Sequence, residues 1–315
     1  MNLNDKKILI TGANGQLGKV LVDIAPSILN NHKIITLSPM RDQLDISSES
    51  SWENYLKINQ PDWIVNTAAY TKVDQAESEA EKAFKVNGES TLHLCKNVKK
   101  FGCKVIHIST DSVFSSNQKT NFKPNSNVNP VNIYGLSKLL GERNIADNLF
   151  QSKQGFIIRT SWLMGYSGSN FLNTIVNLHQ NKKLIKVVSN QFGYLTSSNR
   201  LAKFCWDIIR NEDKYKSIPS ILHYCNDIET TWFEIAKYIG DEGERIGLFN
   251  KKAIVQRIDL EDFIAPAPRS KYCLLDTKET RDFFKLTKEP WQNIIKEELK
   301  KLKESKKFFK NLITI

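Results

Sequence analysis

The chain has 315 residues, 40% apolar and 25% charged, enough to bury a sizeable core as one large or two modest domains. Its net charge of +11, part of it in a lysine-rich tail at 296–310 with seven lysines against three glutamates, favours anionic partners in general, without naming one. Five scattered cysteines (Cys95, Cys103, Cys205, Cys225, Cys273) lack C-x-x-C pairs and histidines at metal spacing, and no apolar run approaches a signal segment or a membrane span; this argues against a metal site, a disulfide scaffold and a membrane protein, and predicts a soluble cytoplasmic chain with reduced thiols.

Ile8, Leu9 and Ile10 make a short apolar run that predicts a buried strand at 7–11. Gly12, Gly15 and Gly18 follow in a G-x-x-G-x-x-G spacing, with Leu17, Val20, Leu21 and Ile24 at helical period before Pro26. Glycines at a strand-to-helix turn let backbone amides close on a pyrophosphate at the positive helix end. With Asn14, Gln16 and Leu17 they make the expected dinucleotide cradle. The next strand, 34–37, ends in Ser38 and Pro39, and Arg41 follows. A carboxylate there would hold the ribose hydroxyls of NAD, so its absence and the nearby cation lean toward NADP. Asp45 and Ile46 lead into a helix carrying Trp52, Tyr55 and Leu56. Residues 62–66 read as a third strand, and Thr67, Ala68, Ala69 and Tyr70 as a turn whose backbone can lie against a cofactor. Residues 78–100 read as helix in one or two pieces, with Ala83, Val86, Leu92, Leu94 and Val98 inward. A fourth strand at 104–109 runs into Thr110 and Asp111, 115–129 is loop, and Phe156, Ile157 and Ile158 mark a fifth strand. The alternation predicts an α/β, Rossmann-like, doubly wound parallel sheet.

After about residue 160 the pattern loosens. Helices are expected at 170–180 and 198–210, strands at 185–188 and 254–258, and an extended stretch at 265–268. Residues 222–225 are expected to rejoin the main sheet. A tail helix from Trp291 turns Ile294, Ile295, Leu299 and Leu302 inward, and its basic face reads as solvated rather than as a nucleic-acid site. We expect a dinucleotide-binding domain over 1–165 and a smaller interleaved C-terminal lobe, for substrate, over 166–315.

Of nine tyrosines, only Tyr134 has a lysine four residues later, Lys138. On a helix the two share a face, and an ammonium there would lower the phenol pKa, making a usable general acid. In a doubly wound sheet, ligands sit at the carboxyl ends of the strands. That rim would gather Gly12 to Gly18, the turn from Thr67 to Thr71, Thr110 with Asp111, and Ser161 with Trp162. A hydride from the nicotinamide to a carbonyl carbon, with Tyr134 protonating the oxygen, is the coherent chemistry for such a set.

These residues resemble the extended short-chain dehydrogenase/reductases. The finer strings resemble the dTDP-4-dehydrorhamnose reductase family: residues 65–77, 108–111, 131–142, 159–162, and Gln191-x-Gly193-x-x-Thr196. The resemblance, over about 6–290, implies NADPH (or NADH) reduction of the 4-keto group of a nucleotide-linked deoxysugar, the last step to dTDP-L-rhamnose. It implies Thr110, Tyr134 and Lys138 as the catalytic trio, and Thr71, Val73, Asp111, Trp162 and Arg269 as the sugar-nucleotide contacts. A nucleotide sugar is then the partner, with a homodimer as an option, and neither nucleic acid nor a membrane. Ser112, Asn190, Leu195 and Ser270 depart from the family's usual residues. They are expected around the sugar pocket, which puts the sugar's identity in doubt. A related epimerase and a cofactor-binding regulatory subunit, like that of methionine adenosyltransferase, are the alternative readings.

Overall fold

The computed structural model describes residues 4–313, with the side chains of residue 215 and of 306 onward outside the description. The first strand, β1 (Asn4–Thr11), is followed by α1 (Gln16–Asp23), a short hairpin of β2 (Ile28–Leu29) and β3 (His32–Leu37), α2 (Glu49–Asn59) and β4 (Trp63–Asn66). Next come α3 (Val73–Ala76), α4 (Ala80–Phe84), a π turn at Lys85–Glu89, and α5 (Ser90–Phe101). Then β5 (Lys104–Thr110), β6 (Asn121–Phe122), α6 (Ile133–Leu149) and β7 (Gly155–Thr160) complete the first half. The second half holds β8 (Leu163–Met164), α7 (Phe171–Asn181), β9 (Leu184–Val188), β10 (Phe192–Tyr194), β11 (Thr196–Ser197) and α8 (Ser198–Arg210). It continues with β12 (Ile221–His223), β13 (Glu229–Thr231), α9 (Trp232–Arg245), β14 (Ile254–Ile258), β15 (Leu274–Leu275), α10 (Lys278–Phe284) and α11 (Trp291–Ile313).

The main sheet has seven strands in the order β12-β7-β5-β4-β1-β3-β2, all parallel except the β2 edge. Alternation along each strand divides its apolar side chains between two faces. Ile8, Ile10, Val65, Ile106 and Ile158 pack on α1 and α8. Leu9, Ile64, Val105 and Ile157 pack on α2, α5 and α6. The α/β doubly wound sheet expected from the sequence is present, and β12 rejoins it beside β7 as expected. The second half builds its own core, where Leu172, Ile175, Ile235, Ile239, Ile295 and Leu299 meet. The expected strands at 185–188 and 254–258 pair there in parallel as β9 and β14.

Three readings of the sequence need correction. Leu92 is 38% exposed, not inward. It lies two residues from the buried Leu94, and such neighbours occupy opposite sides of a helix. The loop at 115–129 contributes β6, which pairs with β15. Helices α9 and α10 were not foreseen, although Thr231 and Glu234 form a capping box at the start of α9.

Candidate active site

The carboxyl ends of β1, β4, β5 and β7 open onto one continuous cavity of about 800 Å³. On its wall β1 stops at Thr11 and the chain turns through Gly12, whose φ of +67° suits glycine. A Cβ on Gly12 would lie 2.8 Å from the Ala68 backbone, so the turn can nest here only without a side chain. Gly15 caps α1 with no side-chain hydrogen bond to the helix amides. Those amides are left as donors at the positive end of the helix, facing the cavity. Asn14, Gln16 and Leu17 line it as well, and the buried Gln16 Nε2 has no hydrogen-bond partner. Gly18 is not part of the lining; a Cβ there would meet the Gly12 carbonyl, so it packs α1 under the turn.

The cavity continues past Ala68 and Ala69 on one wall and reaches Arg41, Asp45 and Ile46 beyond the end of β3. Asp45 accepts hydrogen bonds from Ser47 N at 3.0 Å and Ser47 Oγ at 2.8 Å. These bonds, helped by the Arg41 charge, hold its carboxyl below the ordinary range. A trough with amide donors at its middle and a cation at its far end fits an NADP-type dinucleotide. Tyr70 is not in the lining. It is buried, and its hydroxyl donates to Glu79 at 3.2 Å while its amide donates to Asn87 Oδ1 at 2.8 Å.

At the other end stand Thr110, Asp111, Tyr134 and Lys138. Asn132 caps α6 by accepting from Gly135 N at 2.8 Å, which places Tyr134 in the first turn, over the end of β5. Burial pushes the Tyr134 phenol up to about 12; a hydrogen bond with Thr110 pulls it back a little, and Asp111 raises it again. The expected lowering by Lys138 does not appear in the ligand-free site, where desolvation is the largest influence. Lys138 is itself pushed down to about 8 by burial, with Glu142 acting against the shift. Its Nζ donates to Ile108 O at 2.7 Å. Burial raises Asp111 to about 7, opposed by hydrogen bonds from Thr110 and Ser112.

Thr71 and Trp162 also line the cavity, whereas Val73 and Arg269 do not. Arg269 donates to Asp74 at 2.8 Å instead. Trp162 has a φ of +41°, a strained conformation for a bulky residue, and stacks on Trp232 with centroids 3.9 Å apart. Trp232, fixed by its Nε1–H to Gln191 Oε1 at 2.9 Å, was not anticipated. Neither was Asn87, in the π turn, which ties Tyr70 O at 3.0 Å to Ser137 Oγ at 2.9 Å under Tyr134. The capping box was the legible signal for the first; nothing in the sequence marked the second.

The four departures from the family pattern do not gather in the pocket, and none lines the cavity. Leu195 is fully buried in the second core. Asn190 accepts from Leu260 N at 2.7 Å. Ser270 Oγ binds both Ser116 N at 2.7 Å and Ser116 O at 2.9 Å, clamping two loops. Ser112 turns its hydroxyl toward Thr110 and Asp111. The inference from these positions to an altered sugar pocket therefore loses its footing.

Residues 6–304 match the family model for the RmlD substrate binding domain. The dTDP-4-dehydrorhamnose reductase of Aggregatibacter actinomycetemcomitans is 30% identical over 291 residues, covering 92% of this chain and 97% of that one. The dTDP-4-keto-6-deoxy-D-glucose reductase of Streptomyces niveus is 31% identical over 229 residues, covering 73% and 76%. A crystal structure of dTDP-4-dehydrorhamnose reductase from Bacillus anthracis in complex with NADP superposes with a TM-score of 0.83 at 31% identity, covering 94% and 99%. With a family match over residues 6–304 and a relative 30% identical over 92% of its length, this chain belongs to the dTDP-4-dehydrorhamnose reductase family.

Proposed function

We propose that this protein reduces the 4-keto group of dTDP-4-dehydrorhamnose with NADPH, giving dTDP-L-rhamnose. The observation that carries the reading is the continuous cavity joining the open turn before α1 to Thr110, Tyr134 and Lys138. When bound, the dihydronicotinamide supplies a hydride to the keto carbon. The amides around Gly12 to Leu17 would hold its pyrophosphate, Arg41 its 2′-phosphate, and Lys138 its nicotinamide ribose. Tyr134 hands its phenolic proton to the keto oxygen as that oxygen gains alkoxide character. Desolvation keeps the phenol protonated in the ligand-free site, so it is ready to act as the donor. Thr110 Oγ1 hydrogen-bonds the same oxygen and fixes its distance from Tyr134. Asp111 and Thr71 would meet sugar hydroxyls, and Trp162 would cover a face of the ring. The five free cysteines suit a cytoplasmic setting, where they stay reduced.

The sugar is the finer part of the proposal, since a family relative is named for a different dTDP-keto sugar. The test follows NADPH oxidation by its absorbance with a panel of 4-keto sugars on dTDP, GDP, UDP and CDP. The rhamnose precursor should give the highest kcat/KM. Turnover of another sugar in preference would move the assignment within the family. NADPH binding without turnover of any would favour the regulatory-subunit reading.

A further inference from the structure

Behind the catalytic helix lies a row of polar side chains that the reduction as written does not use. Thr11, Asn66 and His107 occupy one rung across three adjacent strands, paired Thr11 to Asn66 and Asn66 to His107. Neighbouring side chains on a parallel rung point to the same face. Here they touch: Thr11 Oγ1 donates to Asn66 Oδ1 at 2.7 Å, and Asn66 Nδ2 lies 3.0 Å from His107 Nδ1. His107 Nε2 then lies 3.5 Å from Lys138 Nζ. The contact depends on a close approach of α6, because a Cβ on Gly141 would sit 2.4 Å from Asn87 O and 3.4 Å from His107 Nε2. Asn66 and His107 are buried, as is Lys138.

The polarity of this row follows from donor counting. The Thr11 hydroxyl occupies the Asn66 carbonyl oxygen, so the amide nitrogen faces His107, and an amide nitrogen only donates. His107 Nδ1 must accept, which leaves the proton of the neutral ring on Nε2, pointing at Lys138. Burial and the Lys138 charge keep the ring neutral. An Nε2–H opposes an ammonium, which has no lone pair, and suits an amine, which has one.

We propose that His107 is a positioning residue for the reduction: its Nε2–H tautomer, set by Thr11 and Asn66, holds Lys138 ready to give up a proton. After Tyr134 has protonated the keto oxygen, a proton passes from Lys138 toward the phenolate. A Nζ–H bond breaks, the phenolic O–H forms, and the electron pair left on Nζ accepts the His107 Nε2–H; solvent later returns the proton. The other charged group acting on Lys138 is Glu142, on its own helix; Tyr134 lines the same cavity, with Asp111 of the turn after β5 acting on it. Glu142 is held by Arg159 of β7 at 2.7 Å and Ser109 of β5 at 2.5 Å, so its charge is largely committed elsewhere. The catalytic consequence rests on the reductase reading. The tautomer and the Lys138 titration are properties of the ligand-free protein.

The test is Asn66→Asp, which keeps the shape but offers His107 only acceptors. Long-range ¹H–¹⁵N spectra of the ligand-free protein should show His107 as the Nε2–H form in the wild type and with Nδ1 protonated in the variant. In lysine-labelled protein, the Lys138 pKa should rise by about one unit or more in Asn66→Asp. That rise should mostly vanish in the Asn66→Asp/His107→Leu double variant relative to His107→Leu, whereas a through-space charge effect would survive there. The pH limb of kcat should follow Lys138, with NADPH affinity changed less than about threefold. A wild-type Nδ1–H tautomer, or a Lys138 shift equal with and without His107, overturns the proposal. Should His107→Leu not fold, the tautomer change and the Lys138 shift in Asn66→Asp alone decide it, and absence of either overturns it. Failure of every 4-keto sugar to oxidise NADPH sinks the reductase reading instead, leaving the spectra to judge the link between His107 and Lys138.

Discussion

Tyr134 is more firmly protonated in the ligand-free site than its spacing from a lysine suggests, because desolvation and the Asp111 charge both favour the neutral phenol. Tyr134→Phe should lower kcat by about two orders of magnitude or more, within the usual range for loss of a general acid. Cofactor affinity, measured by NADPH fluorescence, should change little, and near-normal turnover would remove Tyr134 from the mechanism. Arg41 lies exposed at the far end of the cavity with no carboxylate closing β3. Arg41→Ala should therefore raise KM for NADPH more than for NADH, and equal effects would show that it does not touch the 2′-phosphate. Asp111 gives a prediction for stability. Its folded pKa is about 7 against an ordinary 3.8, so the folded state keeps a proton that the unfolded chain has released. Its stabilising proton is fully present below the ordinary value and is lost as pH rises through about 7. Asp111→Asn should thus gain stability over the wild type progressively from about pH 4 to 7, by at most about 4 kcal/mol, then level off. Thermal melts of both proteins without ligand across this range check the sign; a gain that shrinks with pH would refute it.

The strands of the main sheet were legible because strands buried on both faces are short apolar runs that end in small-residue turns. The glycine turn and the pairing of Tyr134 with Lys138 were legible for a similar reason, since both depend on local spacing. Tyr70, Val73, Gly18 and Arg269 show the limit of that approach. None of them lines the cavity: Gly18 packs against the Gly12 turn, Tyr70 is tied to Glu79 and Asn87, and Arg269 is paired with Asp74. The second half was harder to read because β8, β10, β11 and β13 have only two or three residues each and are defined by distant partners. Helix α9 is the exception, with a local signal in Thr231, whose hydroxyl accepts from Glu234 N at 3.2 Å while Glu234 Oε2 accepts from Thr231 N at 3.2 Å. Thr231→Ala should cost about 1 kcal/mol, a usual value for a lost cap. Because Trp232 follows at once and stacks on Trp162, the same variant should loosen the cavity wall, read as a raised KM for the sugar nucleotide with kcat little changed. An unchanged melting temperature would show that the cap is dispensable.

At the scale of the whole molecule, the chain leaves the main sheet after β7, builds β8 to β11 and α8, and returns with β12 against that same strand. Helix α8 comes from this excursion too, yet its Leu201, Phe204, Cys205 and Ile208 cover the face shared by Ile8, Ile10 and Val65. The main sheet is thus finished by residues that follow β7 by up to about sixty positions. During synthesis, at roughly 5–20 residues per second, the edge of β7 and the face awaiting α8 stay open for several seconds. An unpaired edge strand and an uncovered apolar face are the features that draw holding chaperones or lead to aggregation. A ribosome that stalled between residues 160 and 223 would therefore release a sticky fragment rather than a working half.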